Sequence, residues 1–118
     1  MMNDNISLYI NELKNKIVPR YKLIGISSQC ILAFSLFKSN SDLPPFLNIV
    51  FNLEFKPYVY RSRTIIVAKT VRYISNCGVA ELDLIKKNLY RYLTESLKKD
   101  EQIGQVITKR GAKGKTRN

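Results

Sequence analysis

The chain contains no histidine and no tryptophan, and only two of its 118 residues are cysteine. Without an imidazole, a hydrolase of the Ser-His-Asp kind is excluded. A structural zinc site usually needs four cysteine or histidine ligands, so two distant cysteines are too few. The sequence also lacks a phosphate-binding loop and the dinucleotide-binding glycine motif. We therefore predict no cofactor, no metal and no catalytic activity of these kinds.

The two cysteines, Cys30 and Cys77, lie far apart in apolar surroundings, which favours buried free thiols in a reducing compartment. The opening residues lack the basic and apolar segments of a secretory signal. The nearest candidate for a membrane span, residues 23–37, is interrupted by serines and is shorter than the roughly 20 residues that a bilayer requires. We therefore expect a cytoplasmic protein without a membrane partner.

Acidic residues are also scarce, with 9 against 20 lysines and arginines and a net charge of +11. Such an excess destabilises a compact fold by self-repulsion, and a polyanionic partner would relieve it. The hydrophobic content of 45% is typical of a globular protein, and the length suits one domain. The composition therefore predicts a folded domain that binds nucleic acid, either DNA or RNA.

An amphipathic helix at 79–99 is the clearest structural signal in the chain. Its apolar residues recur every three or four positions, and basic residues occupy the opposite face. The apolar stripe consists of Leu82, Ile85, Leu89, Leu93 and Leu97, and the opposite face carries Lys87, Arg91, Thr94 and Lys98. A first helix is predicted at 5–17, because Pro19 would end it.

The middle of the chain has patterns that favour strands. Apolar runs at 22–26 and 30–37 flank three polar residues, and residues 46–55 alternate with one wholly apolar face. Tyrosine, valine and isoleucine favour a further strand at 58–67, while 64–76 also fits a helix. The predicted fold is a single α+β domain at 1–107, with an N-terminal helix, an antiparallel sheet of three to four strands and a long C-terminal helix. A flexible basic tail is expected at 108–118.

The candidate nucleic-acid contacts come from three basic regions: a segment without acids between Phe55 and Ala80, the polar face of the long helix, and the tail. They are Arg61, Arg63, Arg72, Lys87, Arg91, Lys98, Lys109, Arg110, Lys113, Lys115 and Arg117. Tyr58, Tyr60 and Tyr73 are interleaved with the first region, and they could stack on bases or pack in the core. We expect a regulator or an accessory subunit without catalytic activity, in a homodimer or a larger nucleoprotein assembly.

Residues 65–118 also resemble a winged helix-turn-helix domain. VAKTVRYISNCGVAELDLIKK is similar to its helix, turn and helix, LYRYLTESLKKDEQIG to its recognition helix, and QVITKRGAKGKTRN to its basic wing. The resemblance implies a break near Asn88, because 79–99 otherwise fits one helix. It also implies a DNA-binding transcriptional regulator.

Two further interpretations belong to other functional classes. Asp42, Glu54 and Lys56 resemble the acid and acid-x-lysine pattern of restriction-like nucleases, in which carboxylates on a strand hold Mg²⁺ beside a lysine. Alternatively, the chain is a structural or protein-interaction subunit whose charge is incidental.

Overall fold

The computed structural model describes the backbone of residues 2–113 and the side chains of residues 5–99. Residues 2–113 form five α-helices: α1 (Met2–Leu13), α2 (Arg20–Leu32), α3 (Leu43–Phe51), α4 (Arg63–Ser75) and α5 (Val79–Lys113). Short 3-10 turns lie at Asn40–Asp42 and Pro57–Arg61. No strand occurs between residues 2 and 113, so the predicted α+β fold with an antiparallel sheet is wrong.

Helix α2 and the turn that follows it at 33–37 replace the strands that the apolar runs at 22–26 and 30–37 predicted. Its buried residues follow helical spacing, and they are Leu23, Ile26, Ser27, Cys30 and Ile31. The prediction failed because Ser27 and Ser28 were interpreted as a turn between strands. In the structure Ser27 is a small residue on the buried face, and Ser28 Oγ donates to the Ile24 carbonyl one turn earlier, at 2.7 Å.

Helix α3 replaces the strand predicted at 46–55. That segment is so rich in apolar residues that it satisfies both the strand period and the helix period. Pro44 and Pro45 mark the first turn of the helix, where a missing backbone N–H costs little. Asn52 ends it in the left-handed conformation, with φ of 56°. The prolines at the start and Asn52 at the end therefore identify the segment as a helix. The alternation of residues between them does not distinguish a helix from a strand.

Helix α4 and the turn before it replace the strand predicted at 58–67. Ser62 caps α4, because its hydroxyl accepts a hydrogen bond from the Ile65 N–H at 3.3 Å. Ile66, Thr70 and Ile74 then lie on the buried face. Residues 64–76, for which the sequence allowed both helix and strand, are therefore helical as far as Ser75.

Helix α5 confirms the predicted amphipathic helix and extends it beyond residue 99. It begins with a cap in which Glu81 Oε1 accepts from the Gly78 N–H at 2.8 Å. Ile85, Leu89 and Leu93 are buried, and Leu82 and Leu97 pack against the same core. The helix is continuous at Asn88 and remains helical through 105–113, where the resemblance implied a wing hairpin. The winged helix-turn-helix arrangement is therefore wrong.

Helix α1 confirms the first predicted helix but ends at Leu13 instead of residue 17. Ile6, Ile10 and Leu13 are buried, whereas Ile17 lies beyond the helix and is 81% exposed. Helix α5 packs against α1 and α3, and α4 packs against α2. Aromatic rings lie at the centre of the core, with Phe46 at 5.0 Å from Tyr92 and 4.9 Å from Phe37 between ring centroids.

Two arginines join α2 and α4 reciprocally. Arg20, at the start of α2, donates through Nη1 to the carbonyls of Ile74 and Cys77 at the end of α4, both at 2.8 Å. Arg63, at the start of α4, donates through Nη1 to the Ile31 carbonyl at the end of α2, also at 2.8 Å. The helices are therefore antiparallel, and each supplies a cation to the carbonyls that end its partner. We call Arg20 and Arg63 the reciprocal arginine pair.

Both cysteines are free and buried, as the sequence predicted. Burial raises the pKa of the Cys30 thiol to about 12, and it also raises the pKa of Cys77. The thiolate is the reactive form, so Cys30 should resist alkylation by iodoacetamide at pH 8 while the protein is folded. Mass spectrometry with and without denaturant checks this. Labelling of Cys30 at the same rate in both samples would contradict its burial.

Among the described residues, none of the helices combines the length and the apolarity needed to cross a membrane.

Candidate nucleic-acid interface

Most of the basic residues lie in the part of the chain whose side chains the structure describes. Residues 5–99 hold 15 of the 20 basic residues and six of the nine acidic ones. The remaining five cations are those of the predicted tail: Lys109, Arg110, Lys113, Lys115 and Arg117. Their side chains lie outside the described residues, so their proposed role in binding stays a prediction. A surface for a polyanion therefore has to be sought first on the helices.

Two adjacent depressions lie along α5, and together we call them the α5 groove. Its first part lies where the end of α1 meets α5, has a volume of about 290 Å³ and is lined by Leu13, Lys14, Lys86, Lys87 and Tyr90. Its second part follows α5 with a volume of about 410 Å³ and is lined by Lys87, Tyr90, Arg91, Thr94, Glu95 and Lys98. The two parts adjoin each other, because Lys87 and Tyr90 line both.

The α5 groove is strongly cationic. Five basic side chains line it, and of the side chains described there only Glu95 is acidic. Asp83 forms a salt bridge of 3.1 Å with Lys87, but both side chains are more than half exposed. Exposed pairs of this kind are worth about 0–1 kcal/mol, so a phosphate can compete for Lys87. The groove therefore keeps an excess of positive charge despite these two carboxylates.

Local structure explains why these side chains share one surface. Four of the five basic residues belong to α5: Lys87, Arg91 and Lys98 repeat on the face opposite its buried stripe, and Lys86 lies at the edge of that stripe. Lys86 Nζ also donates to the Lys16 carbonyl at 3.0 Å, which ties α5 to the segment after α1. The helix thus aligns the cations, and α1 closes one side of the groove.

Tyr90 lies at the junction of the two parts of the groove. Its side chain is half-buried, because it packs partly against the core and partly faces the depression. The aliphatic stems of the neighbouring lysines can cover apolar surface while their ammonium groups reach solvent. The centre of the groove is therefore an apolar site with a cationic rim.

The structure brings together three of the predicted site residues. Lys87, Arg91 and Lys98 all line the α5 groove. Arg61 and Arg72 are exposed, but they belong to the 3-10 turn and to α4, which packs against α2. They therefore belong to a different part of the described surface from α5, and their role in binding stays a prediction.

Arg63 is not positioned to bind a phosphate. Its side chain is 8% exposed, and its guanidinium donates to the Ile31 and Phe37 carbonyls and to Asn40 Oδ1. It also lies over the Phe34 ring, 4.2 Å from the centroid. The sequence suggested a surface cation because the surrounding segment is basic. In the structure its donors face inward, so its role is structural.

The tyrosines of the basic segment do not share a sheet face, because that sheet does not exist among the described residues. Tyr58 is exposed, but the Tyr60 hydroxyl accepts from the Phe55 N–H at 3.3 Å, and Tyr73 packs against the core. Sequence analysis missed Lys14, Lys86 and Tyr90. Lys86 adjoins the predicted basic face, whereas Lys14 reaches the groove only through the packing of α1 on α5.

The nuclease pattern also lacks the strand it requires. Asp42 Oδ2 accepts from the Ser39 N–H at 3.1 Å as part of a helix cap, and Glu54 and Lys56 are exposed in the loop after α3. In the part of the chain with described side chains, no three acidic, histidine or cysteine residues are grouped as a metal site would need. The geometry therefore does not favour the nuclease hypothesis.

These observations define a class: a small, basic, all-helical protein with a cationic groove along its longest helix. Comparison of the chain with protein-family models, with curated proteins and with solved structures gives no match in any of the three. Its function therefore has to be inferred from the surface chemistry of its own residues.

Proposed function

We propose that this chain is a small nucleic-acid-binding protein without catalytic activity, acting as a regulator or accessory subunit of a nucleoprotein assembly. The α5 groove is the observation that carries the proposal. Five cations line it against one acid, in a chain with a net charge of +11. Such a surface matches a polyanion by charge complementarity.

The length of the groove favours a polymer over a small anion. Lys86 and Lys98 are twelve residues apart on one helix, which corresponds to about 18 Å. A single phosphate can reach only one end of such a row. A nucleic acid carries a charge at every nucleotide, so it can engage Lys86, Arg91 and Lys98 together. The predicted tail would bind further phosphates beyond the groove.

Replacing Lys87, Arg91 and Lys98 together by glutamine should weaken nucleic-acid binding, most strongly at low salt. Each phosphate that the variant no longer neutralises should reduce the slope of log K against log salt by about 0.7–0.9. Three such phosphates would therefore lower the magnitude of the slope by roughly 2–3. The measurement is a salt titration by fluorescence anisotropy, with one duplex and one single strand as ligands.

The matched control replaces three exposed cations outside the groove, Lys38, Lys56 and Lys69, by glutamine. Both triple variants have the same net charge, so only the position of the charge differs. We expect the control variant to keep most of the wild-type slope of log K against log salt. Equal reductions in the two variants would show that general charge, and not the groove, drives binding. A third variant, with Arg61 and Arg72 replaced, tests whether α4 contributes.

Two further outcomes separate the other functional classes. In the presence of Mg²⁺ the ligand should keep its length, and cleavage abolished by Glu54→Gln would favour the nuclease instead. If the wild-type protein binds neither ligand at low salt, the charge is incidental and a structural or protein-interaction subunit becomes the better hypothesis. A pull-down from native lysate, with and without nuclease treatment, would then identify the partner.

A further inference from the structure

We propose that the α5 groove binds a single strand, with one unpaired base stacked on the Tyr90 ring. This inference rests on the function proposed above, and it specifies the form of nucleic acid that the groove accepts. Its basis is the first part of the groove, where an apolar site lies inside the cationic row.

That part of the groove combines two kinds of surface. Tyr90 provides the aromatic lining, with the almost fully buried Leu13 beneath it, and Lys14, Lys86 and Lys87 surround this site. Its volume of about 290 Å³ is large enough for one flat ring system. No acidic side chain lines this part among the described residues. A planar apolar group attached to a phosphate could therefore contact the aromatic lining with its ring and the lysines with its phosphate.

A duplex cannot use this site in the same way. Paired bases are stacked inside a duplex and present only their edges in the grooves, while the phosphates face outward. A duplex could still bind the lysines, but no base face would reach Tyr90. An unpaired base has an accessible face, and stacking on an aromatic side chain is tolerant of sequence. The apolar centre therefore favours single strands over duplexes of equal charge.

An acidic peptide with one apolar anchor is the main alternative occupant. Such a peptide could insert a side chain beside Tyr90 and pair carboxylates with the lysines. However, the cations continue past the apolar site to Arg91 and Lys98 along the second part of the groove. A ligand with a charge at every repeat matches this row better than a short acidic segment does.

Tyr90→Leu should weaken binding to single strands by roughly 5-fold to 100-fold, the reduction expected for one base stack. Tyr90→Phe should stay close to wild type, because the ring is retained. Duplex affinity should change by less than about twofold in both variants, because stacking is not involved. Anisotropy titrations with oligothymidylate, oligouridylate and a duplex of equal length measure these effects. The two single strands also show whether DNA or RNA binds more tightly.

A second measurement detects stacking directly. The chain has no tryptophan, so Tyr90→Trp introduces one fluorophore at the site. Stacking of a base on the indole should quench its emission when oligothymidylate is added. Tyr58→Trp is the control, because Tyr58 is exposed on the 3-10 turn and lies outside the groove. Circular dichroism establishes that each variant remains folded.

The failures of the two proposals are distinguishable. If duplex and single strand bind equally and Tyr90→Leu affects neither, the stacking inference is overturned while nucleic-acid binding stands. If polyglutamate binds as tightly as oligothymidylate and quenches Tyr90→Trp equally, the occupant is an acidic peptide. If none of these ligands binds, both the proposed function and the inference are wrong.

Discussion

Arg63→Met is expected to lower the free energy of unfolding by about 3–5 kcal/mol. Three buried or half-buried acceptors would be without their donor, namely the carbonyls of Ile31 and Phe37 and the side-chain oxygen of Asn40. Leaving such a group unsatisfied costs about 1–3 kcal/mol, with some relief where water enters. Methionine fills a similar length but donates no hydrogen bond.

The expected change is large compared with the total stability of a small domain, which is about 5–15 kcal/mol. Equilibrium unfolding in urea, followed by circular dichroism, measures the change. Arg61→Met is the matched control, because Arg61 is exposed two residues earlier and should change stability by no more than about 0.5 kcal/mol. Arg63→Lys keeps the charge without the planar fork, so it should restore only part of the stability. Equal stabilities for Arg63→Met and Arg61→Met would contradict the buried position of the Arg63 side chain.

Leu89→Ala should lower the free energy of unfolding by about 2–5 kcal/mol, as expected for truncation of a fully buried leucine. Leu89 is 0% exposed and lies mid-way along the apolar stripe that α5 presents to the core. The removed atoms leave a cavity unless neighbouring side chains collapse into it. Thermal and urea unfolding of the variant measure the decrease in stability.

Leu84→Ala provides an internal comparison on the same helix. Leu84 is 58% exposed, so the same chemical change should have little effect on stability. Helix propensity changes equally in both variants, and the difference between them isolates burial. If Leu84→Ala is the more destabilising change, the buried face of α5 is assigned incorrectly.

The sequence alone was sufficient to predict the two amphipathic helices, α1 and α5. In α5 the apolar stripe and the basic stripe differ in chemistry, so the period of 3.6 is visible without the fold. In α2 and α3 this contrast is missing, because nearly all residues of α3 are apolar and a serine lies on the buried face of α2. In such helices the decisive signals lie at the ends, such as Pro44 in the first turn of α3 and, in the same way, Ser62 before α4.

The residues of the α5 groove were predictable from the sequence only where they lie on one helix. Lys87, Arg91 and Lys98 repeat along α5, so their common face followed from spacing alone. Lys14 joins them through the packing of α1 on α5, which no local pattern specifies. Arg63 shows the opposite error, because a basic residue in a basic segment was assigned to the surface. Its burial depends on carbonyls that are 32 and 26 residues away in the chain.

The reciprocal arginine pair has a consequence for the conditions under which the molecule keeps its shape. At the ends of α2 and α4 each guanidinium bonds to backbone carbonyls, so neither cap uses a carboxylate or an imidazole as its acceptor. The chain also lacks histidine, the side chain that most often titrates between pH 5 and 8. Under the proposed function, ionic strength, which screens the cations of the α5 groove, is therefore the variable expected to release a polyanion.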